Sequence, residues 1–220
     1  MFIAGTHGYA QRMSRVSTGL DFGTGFKGSQ LAPSLLYYQA LNPANAPWFQ
    51  VSAGARIWTY LANDINLTAP ANATQSDIMQ LSRASATGMN FMVGFNVTVA
   101  RKVDIGVNAD ILGFAFGKRR NSLYKLAAPG TAPDSILALN NTDIGIAPAN
   151  LNIIPTFKTN NSGQAEAFVR IWLTQEFGVK AGYVWGQVAY RSDAKLNNGQ
   201  GRFSSTYGMP FISLSIPLYN

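Results

Sequence analysis

Apolar and polar residues alternate with a period of two along most of this chain. The alternation is longest between residues 88 and 116, where one face carries Phe91 and Val93 and the other carries Asn90 and Gly94. Successive side chains of a β-strand point to opposite faces, so this pattern predicts two long strands joined by a tight turn at residues 101–102. Each strand has one apolar face and one face of small or polar residues.

The same alternation predicts eight strands in the whole chain. Each is long enough for the roughly 9 to 11 residues with which a tilted strand crosses a bilayer. The second strand alone has no readable phase, because its apolar residues do not alternate regularly. The predicted strands cover approximately residues 13–26, 32–41, 48–61, 88–100, 103–116, 163–174, 177–191 and 206–219.

The connections between the predicted strands alternate in length. After the first connection, which is short, every second one is long. Short periplasmic turns and long extracellular loops are typical of up-and-down barrels in the bacterial outer membrane, so we expect both chain ends in the periplasm. The long connections are 62–87, 118–162 and 192–205, and the short ones are 27–31, 42–47, 101–102 and 175–176.

Composition narrows the class of protein. The chain has 220 residues, of which 12% are charged and 47% are apolar. Soluble domains carry about 25% charged residues, so roughly half of the usual charge is missing. No run approaches the about 18 consecutive apolar residues of a transmembrane helix, and only a closed sheet can otherwise satisfy the backbone in lipid. The absence of cysteine excludes disulfides, zinc–thiolate sites and cysteine nucleophiles.

From about Arg12 to Asn220 the chain resembles the small eight-stranded outer-membrane barrels of the OmpA/OmpX type. Strand number, strand phase and the asymmetry of the loops carry this resemblance. It implies an all-β fold, an eight-stranded antiparallel up-and-down transmembrane β-barrel with short periplasmic turns and long extracellular loops, and assembly by the barrel-assembly machinery. Such barrels usually end in a terminal Phe, whereas this chain ends in Leu218, Tyr219 and Asn220.

The first ten residues are interpreted as the remnant of a signal peptide. Gly8 and Ala10 match the small residues that precede a cleavage site. The alternative is a disordered N-terminal tail. Residues 11–220 are expected to form a single barrel domain.

Alternation by itself does not decide which face of a barrel is inside, because a soluble lipocalin-like carrier would have its apolar face inside. The charges favour a polar interior, since the polar faces of the strands carry four basic and four acidic residues among many Gly, Ser, Asn and Thr. A surface in contact with water would carry more Lys and Glu, whereas charges in a narrow lumen must be paired. The predicted lumen network consists of Arg15, Asp21, Arg56, Asp104, Asp110, Glu166, Arg170 and Lys180.

The network predicts a closed lumen. Side chains just fill the interior of an eight-stranded barrel, so we expect a polar plug and no open pore. The expected ion pairs are Asp110 with Arg170 and Asp21 with Arg56. The tripeptide Arg-Ile-Trp occurs twice, at 56–58 and 170–172, and its spacing places Arg and Trp on one face, where they can stack.

Basic residues predominate over acidic ones in the connections. Lys118, Arg119, Arg120 and Lys125 lie in the third long connection, where we expect contact with the phosphates of outer-membrane lipid and lipopolysaccharide. The basic residues are dispersed and lack aromatic stacking partners, so nucleic-acid binding is not expected. A connection of about 45 residues is longer than compact domains usually tolerate, which makes it the first place to expect a protein partner.

Catalysis is not expected from this sequence. His7 is the only histidine and lies in the signal remnant, whereas enzymes built on similar barrels generally use a histidine within the barrel. We expect neither a cofactor nor a bound metal ion.

Pro210 and Pro217 lie within the last predicted strand, where each removes a hydrogen-bond donor from the ladder. They predict either a bulge or a lateral seam through which a small apolar molecule passes into the membrane. The expected function is a non-enzymatic structural or surface-interaction role in the outer membrane. Small-solute or lateral apolar transport is the alternative, and a soluble ligand carrier is the second alternative.

Overall fold

The computed structural model describes residues 15–69, 77–100, 102–155 and 158–219. The fold is all-β and antiparallel, and α1 (Asp134–Leu137) is the only α-helix among these residues. No helix in the described ranges is long and apolar enough to cross a membrane. The signal remnant predicted at residues 1–10 lies outside the described residues. The strands are β1 (Arg15–Lys27), β2 (Gln30–Asn42), β3 (Phe49–Thr68), β4 (Ile78–Ala100), β5 (Val103–Phe116), β6 (Arg120–Lys125), β7 (Asp143–Pro148), β8 (Leu151–Ile153), β9 (Gly163–Trp172), β10 (Gly178–Ser192) and β11 (Arg202–Tyr219).

Eight strands form a ring in the order β1, β2, β3, β4, β5, β9, β10 and β11, in which β11 pairs with β1. Every neighbouring pair in this ring is antiparallel. The predicted all-β, up-and-down arrangement of eight strands is therefore confirmed. Because each ring strand has a neighbour on both sides, its backbone donors and acceptors find partners at both edges over most of its length.

The alternation along the strands has the predicted phase. In β1, Asp21 is buried inside the ring while Phe22 is exposed outside, and in β11 Ser215 is buried while Leu214 is exposed. The second strand, for which no phase could be read, buries Leu36, Tyr38 and Ala40. Its outward residues are almost equally apolar, so the two faces could not be told apart by hydrophobicity.

The β3–β4 hairpin is longer than predicted. The two strands pair up to Thr68 and Ile78, so most of the connection expected at 62–87 is strand. Asp64 has a positive φ of 52°. At this residue the buried positions of β3 change from even-numbered to odd-numbered residues. Ala62, before Asp64 in the chain, and Ile65, after it, are both buried.

The third long connection is also mostly structured, contrary to the prediction of one loop at 118–162. β6 pairs with β4 and with β7, and β7 pairs with the end of β10. The pair Ser204 and Thr68 joins β11 to β3. One end of the ring thus continues as a smaller ring of β3, β4, β6, β7, β10 and β11, while β8 pairs with β5. We call this end the long-loop end, and the end with the turns after β2, β4 and β9 the short-turn end.

Large apolar side chains cover the outside of the eight-stranded ring. Each ring strand contributes at least one exposed large apolar side chain. Between the two ends of the ring, the other residues that face outward are uncharged. This is the reverse of the usual arrangement in a soluble domain, where large apolar side chains are packed inside. We call this surface the apolar belt, and its representative residues are Phe22, Leu35, Ile57, Phe91, Ile105, Val169, Trp185 and Leu214.

Candidate functional site

Six charged side chains form a continuous chain of alternating sign inside the ring. They project from β1, β3, β5, β9 and β10, and none is more than 5% exposed. Three of its members are basic and three are acidic, so the chain as a whole has no net charge. We call it the charge chain, and its order is Arg170, Asp21, Lys180, Glu166, Arg56 and Asp110.

One half of the charge chain is centred on Asp21. Arg170 Nη2 donates to both oxygens of this carboxylate, at 3.0 Å to Oδ2 and 3.3 Å to Oδ1. Lys180 Nζ donates to Asp21 Oδ2 at 2.9 Å and also pairs with Glu166. Lys180 therefore bridges two carboxylates that belong to different strands.

The other half of the charge chain is centred on Arg56. Its Nη1 lies 3.2 Å from Glu166 Oε2, and its Nε lies 3.2 Å from Asp110 Oδ1. The Nε contact is an ion pair whose direction does not make an aligned hydrogen bond. Asn90 Nδ2 donates to Asp110 Oδ2 at 2.8 Å, and Asn108 Nδ2 donates to Glu166 Oε1 at 2.6 Å. These contacts fill the middle of the ring with paired charges.

The predicted network residues meet inside the ring, but in other pairs. Asp21 pairs with Arg170 instead of Arg56, and Asp110 pairs with Arg56 instead of Arg170. The expected pairs were wrong because alternation fixes the face of a residue but not its height relative to other strands. The side chain of Arg15 lies outside the described residues.

Asp104 lies nearer the short-turn end and is not part of the charge chain. Its carboxylate accepts hydrogen bonds of 2.8 Å from Thr98 Oγ1 and from the indole Nε1 of Trp172. The guanidinium carbon of Arg170 lies 5.3 Å from the ring centres of Tyr38, Phe168 and Trp172. The predicted contact of Arg170 with Trp172 is therefore confirmed.

The Arg-Ile-Trp copy at 56–58 has different contacts. The ring of Trp58 packs against Gly88, where a Cβ would collide with it, and its Nε1 has no hydrogen-bond partner. Among the described contacts no cation–π interaction joins Trp58 to Arg56. The arginine turns to Glu166 and Asp110 instead.

Towards the long-loop end the interior becomes apolar and aromatic. The rings of Tyr60 and Tyr207 stack at 4.4 Å with an angle of 16° between their planes. The alternation rule does not reveal this division, because it predicts inward faces of mainly charged, small and polar residues with a few aromatic ones among them. The sequence signal that predicts an apolar core at this end is the presence of aromatic residues at inward positions near the strand ends. The core here includes Trp58, Tyr60, Leu67, Leu81, Tyr124, Ile146, Tyr190, Phe203 and Tyr207.

A buried tyrosine–carboxylate pair holds the structured third connection. Asp77 is 5% exposed and accepts a 2.7 Å hydrogen bond from the Tyr124 hydroxyl and a 3.0 Å hydrogen bond from the Ala127 amide. Burial, and after it the hydrogen bond to Asp77, raise the pKa of Tyr124 above its ordinary value. The contact ties the end of β6 to the start of β4.

The predicted basic residues lie in and beside β6. Lys118 and Arg119 precede this strand and are exposed, whereas Arg120 and Lys125 are its half-buried first and last residues. Arg119 pairs with Asp193 on the surface, a type of ion pair that contributes about 0 to 1 kcal/mol. All four belong to the long-loop end.

The two prolines of β11 occupy different environments. Pro217 pairs with Gly19 next to a shift in register, so the predicted bulge is present there. Pro210 lies just beyond the last β1–β11 pair, Gly25 with Phe211. In the described structure, the edge of β11 that faces β1 has no β-partner over residues 205–210. Its next pair on this edge is Ser204 with Thr68 of β3.

This interruption leaves a gap in the ladder between β3 and β11, opposite residues 205–210. The stack of Tyr60 on Tyr207 joins the two strands across it. Gly186 makes room for the Tyr207 ring, since a Cβ at this position would overlap it.

The chain matches no protein-family model and no curated protein. In the described part of the chain no group of three or more His, Cys, Asp or Glu residues is arranged to hold a metal ion. The function must therefore be inferred from the ring, the belt and the interior contacts.

Proposed function

We propose that the ring is a transmembrane β-barrel of a bacterial outer membrane, with a plugged lumen and a non-enzymatic structural or surface-interaction role. The apolar belt carries this proposal. Soluble monomers rarely expose contiguous apolar patches above a few hundred Å², whereas this belt extends around all eight ring strands. In lipid the same side chains meet hydrocarbon, and the closed ladder leaves few backbone groups unsatisfied.

The charged interior supports a closed barrel. Six paired charges from five strands occupy the middle of the ring, and the apolar core fills its long-loop end. Side chains in these two layers leave little room for a continuous aqueous path, as is usual for eight strands. A soluble lipocalin-like carrier is less well supported, because its apolar side chains would face inward.

The two ends of the barrel suggest its orientation. β1 begins and β11 ends at the short-turn end, which in this proposal faces the periplasm and the barrel-assembly machinery. The long-loop end carries the exposed residues Lys118 and Arg119, which can contact the phosphates of lipopolysaccharide. A protein partner would also bind at this end.

A pair of matched variants tests membrane insertion. Phe91 in the belt is 48% exposed and Leu137 in α1 is 42% exposed, so lysine is sterically tolerated at both. If the belt meets lipid, Phe91→Lys destabilises the barrel by about 2 to 4 kcal/mol and Leu137→Lys has little effect. The measurement is unfolding in detergent or vesicles, together with the amount of heat-modifiable protein in the outer-membrane fraction.

Two results would contradict membrane insertion. One is equal stability of Phe91→Lys and Leu137→Lys, and the other is wild-type protein that remains monomeric in buffer without detergent. Planar-bilayer recordings test the plug separately, since stable large-conductance steps of the wild type would contradict a closed lumen.

The gap between β3 and β11 favours a second candidate function, lateral transport of a small apolar molecule. In this proposal the molecule leaves the apolar core through the interrupted ladder, next to the Tyr60–Tyr207 stack. Tyr207→Ala should change the uptake of a small aromatic probe such as phenylnaphthylamine, whereas Trp185→Ala on the belt should not. Unchanged uptake in Tyr207→Ala would remove the support for this route.

A further inference from the structure

The interior opens at the short-turn end into a pocket of about 230 Å³. Residues from seven of the eight ring strands line it, so it lies on the axis of the ring. A water molecule occupies about 30 Å³ in the liquid, so the pocket has room for a group the size of an amino-acid side chain. We call it the vestibule, and the residues that matter here are Tyr38, Gln50, Thr98, Asp104, Arg170 and Trp172.

Among the described residues, Asp104 supplies to the vestibule a carboxylate that forms no ion pair. Asp104 is 6% exposed, and from the described residues its carboxylate accepts two hydrogen bonds, from Thr98 and Trp172, although a carboxylate has about four acceptor positions. Among the described residues no Lys or Arg lies within 4.0 Å of it. Arg170 also lines the vestibule and attracts this carboxylate from a longer distance, but its guanidinium pairs with Asp21. A buried carboxylate of this kind is stabilised by a cation that enters beside it.

The other walls of the vestibule suit an organic cation. The rings of Tyr38 and Trp172 provide aromatic surface, which attracts ammonium groups. The guanidinium of Arg170, 5.3 Å from both ring centres, already lies against part of this surface. The amide nitrogen of Gln50 donates to Ser17 Oγ at 3.2 Å and to Asn42 Oδ1 at 3.0 Å, so its carbonyl oxygen is left as an acceptor. A hard metal ion would need more oxygen ligands than this single carboxylate offers.

We propose that the vestibule binds a small organic ammonium ion, with Asp104 as its counter-ion and Trp172 as its aromatic wall. This site depends on the geometry of the ring and not on membrane insertion. It therefore goes beyond the proposed function and can fail independently of it.

Calorimetric titration of the detergent-solubilised full chain with n-butylammonium chloride tests the site. We expect saturable binding by the wild type, and no binding of n-butanol or butyrate, which have a similar size without the positive charge. Asp104→Asn keeps the shape of the side chain and should weaken n-butylammonium binding about tenfold or more, as expected for a lost charged hydrogen bond. Asp143→Asn, at the long-loop end, should leave the affinity unchanged.

Three further measurements make the result decisive. Heat-dependent gel mobility tests whether Asp104→Asn is folded. Trp172→Leu should also weaken n-butylammonium binding, because the aromatic wall is lost. Arg15→Gln removes the β1 cation whose side chain lies outside the described residues, and it should bind at least as well as the wild type. No saturable binding by the wild type, equal affinity in folded Asp104→Asn, or weaker binding by Arg15→Gln would each overturn the proposal.

Discussion

Replacement of Lys180 by methionine tests whether the charge chain stabilises the ring. Lys180 is 1% exposed and contacts both Asp21 and Glu166. Methionine has similar length without the charge, so Lys180→Met removes the central cation and little volume. Asp21 keeps Arg170 and Glu166 keeps Arg56, but three buried carboxylates then face two cations.

The expected loss is large because the charge is buried. Removal of one partner from a buried ion pair costs about 3 to 5 kcal/mol, since the remaining charge is left without compensation. A loss of this size lowers the ratio of folded to unfolded protein by roughly a hundredfold to several thousandfold. Lys27→Met is the matched control, because Lys27 is exposed at the end of β1.

Denaturant unfolding in detergent micelles, followed by tryptophan fluorescence, measures the loss. The double variant Lys180→Met/Glu166→Gln removes one charge of each sign and leaves the pairs Arg170–Asp21 and Arg56–Asp110. We expect it to be less destabilised than the sum of the two single variants, by about 1 kcal/mol or more. The reasoning is refuted if Lys180→Met is as stable as Lys27→Met, or if the double variant shows no coupling.

Two more predictions concern the long-loop end. The raised pKa of Tyr124 means that the folded state retains a proton that the unfolded state loses above the ordinary pKa of 10.0. The free energy of unfolding should therefore fall as pH rises through this value, and fall less steeply in Tyr124→Phe; parallel pH profiles would contradict this. Gly186→Ala places a Cβ into the Tyr207 ring and should cost about 1 to 3 kcal/mol by denaturant unfolding, whereas Gly201→Ala, which meets open space, should be neutral. Equal stability of the two alanine variants would show that the ring of Tyr207 has room to move.

The sequence by itself determined the existence of the eight ring strands and, in all of them but the second, the face of most residues within the predicted spans. A period of two is a local property of extended backbone, so residues such as Asp21 and Phe22 were assigned to opposite sides without knowledge of the neighbours. The inward position of Asp104, Glu166 and Lys180 came from the same rule.

Only the tertiary structure decided which residues meet inside the ring and how its ends are built. Asp21 meets Arg170 because the registers of β1, β9, β10 and β11 set their heights, and a register is a property of the whole ring. β6, β7 and β8 have three to six residues, too few for alternation to stand out from a loop. They form strands because β4, β5 and β10 extend far enough to offer them free edges, which no local pattern records.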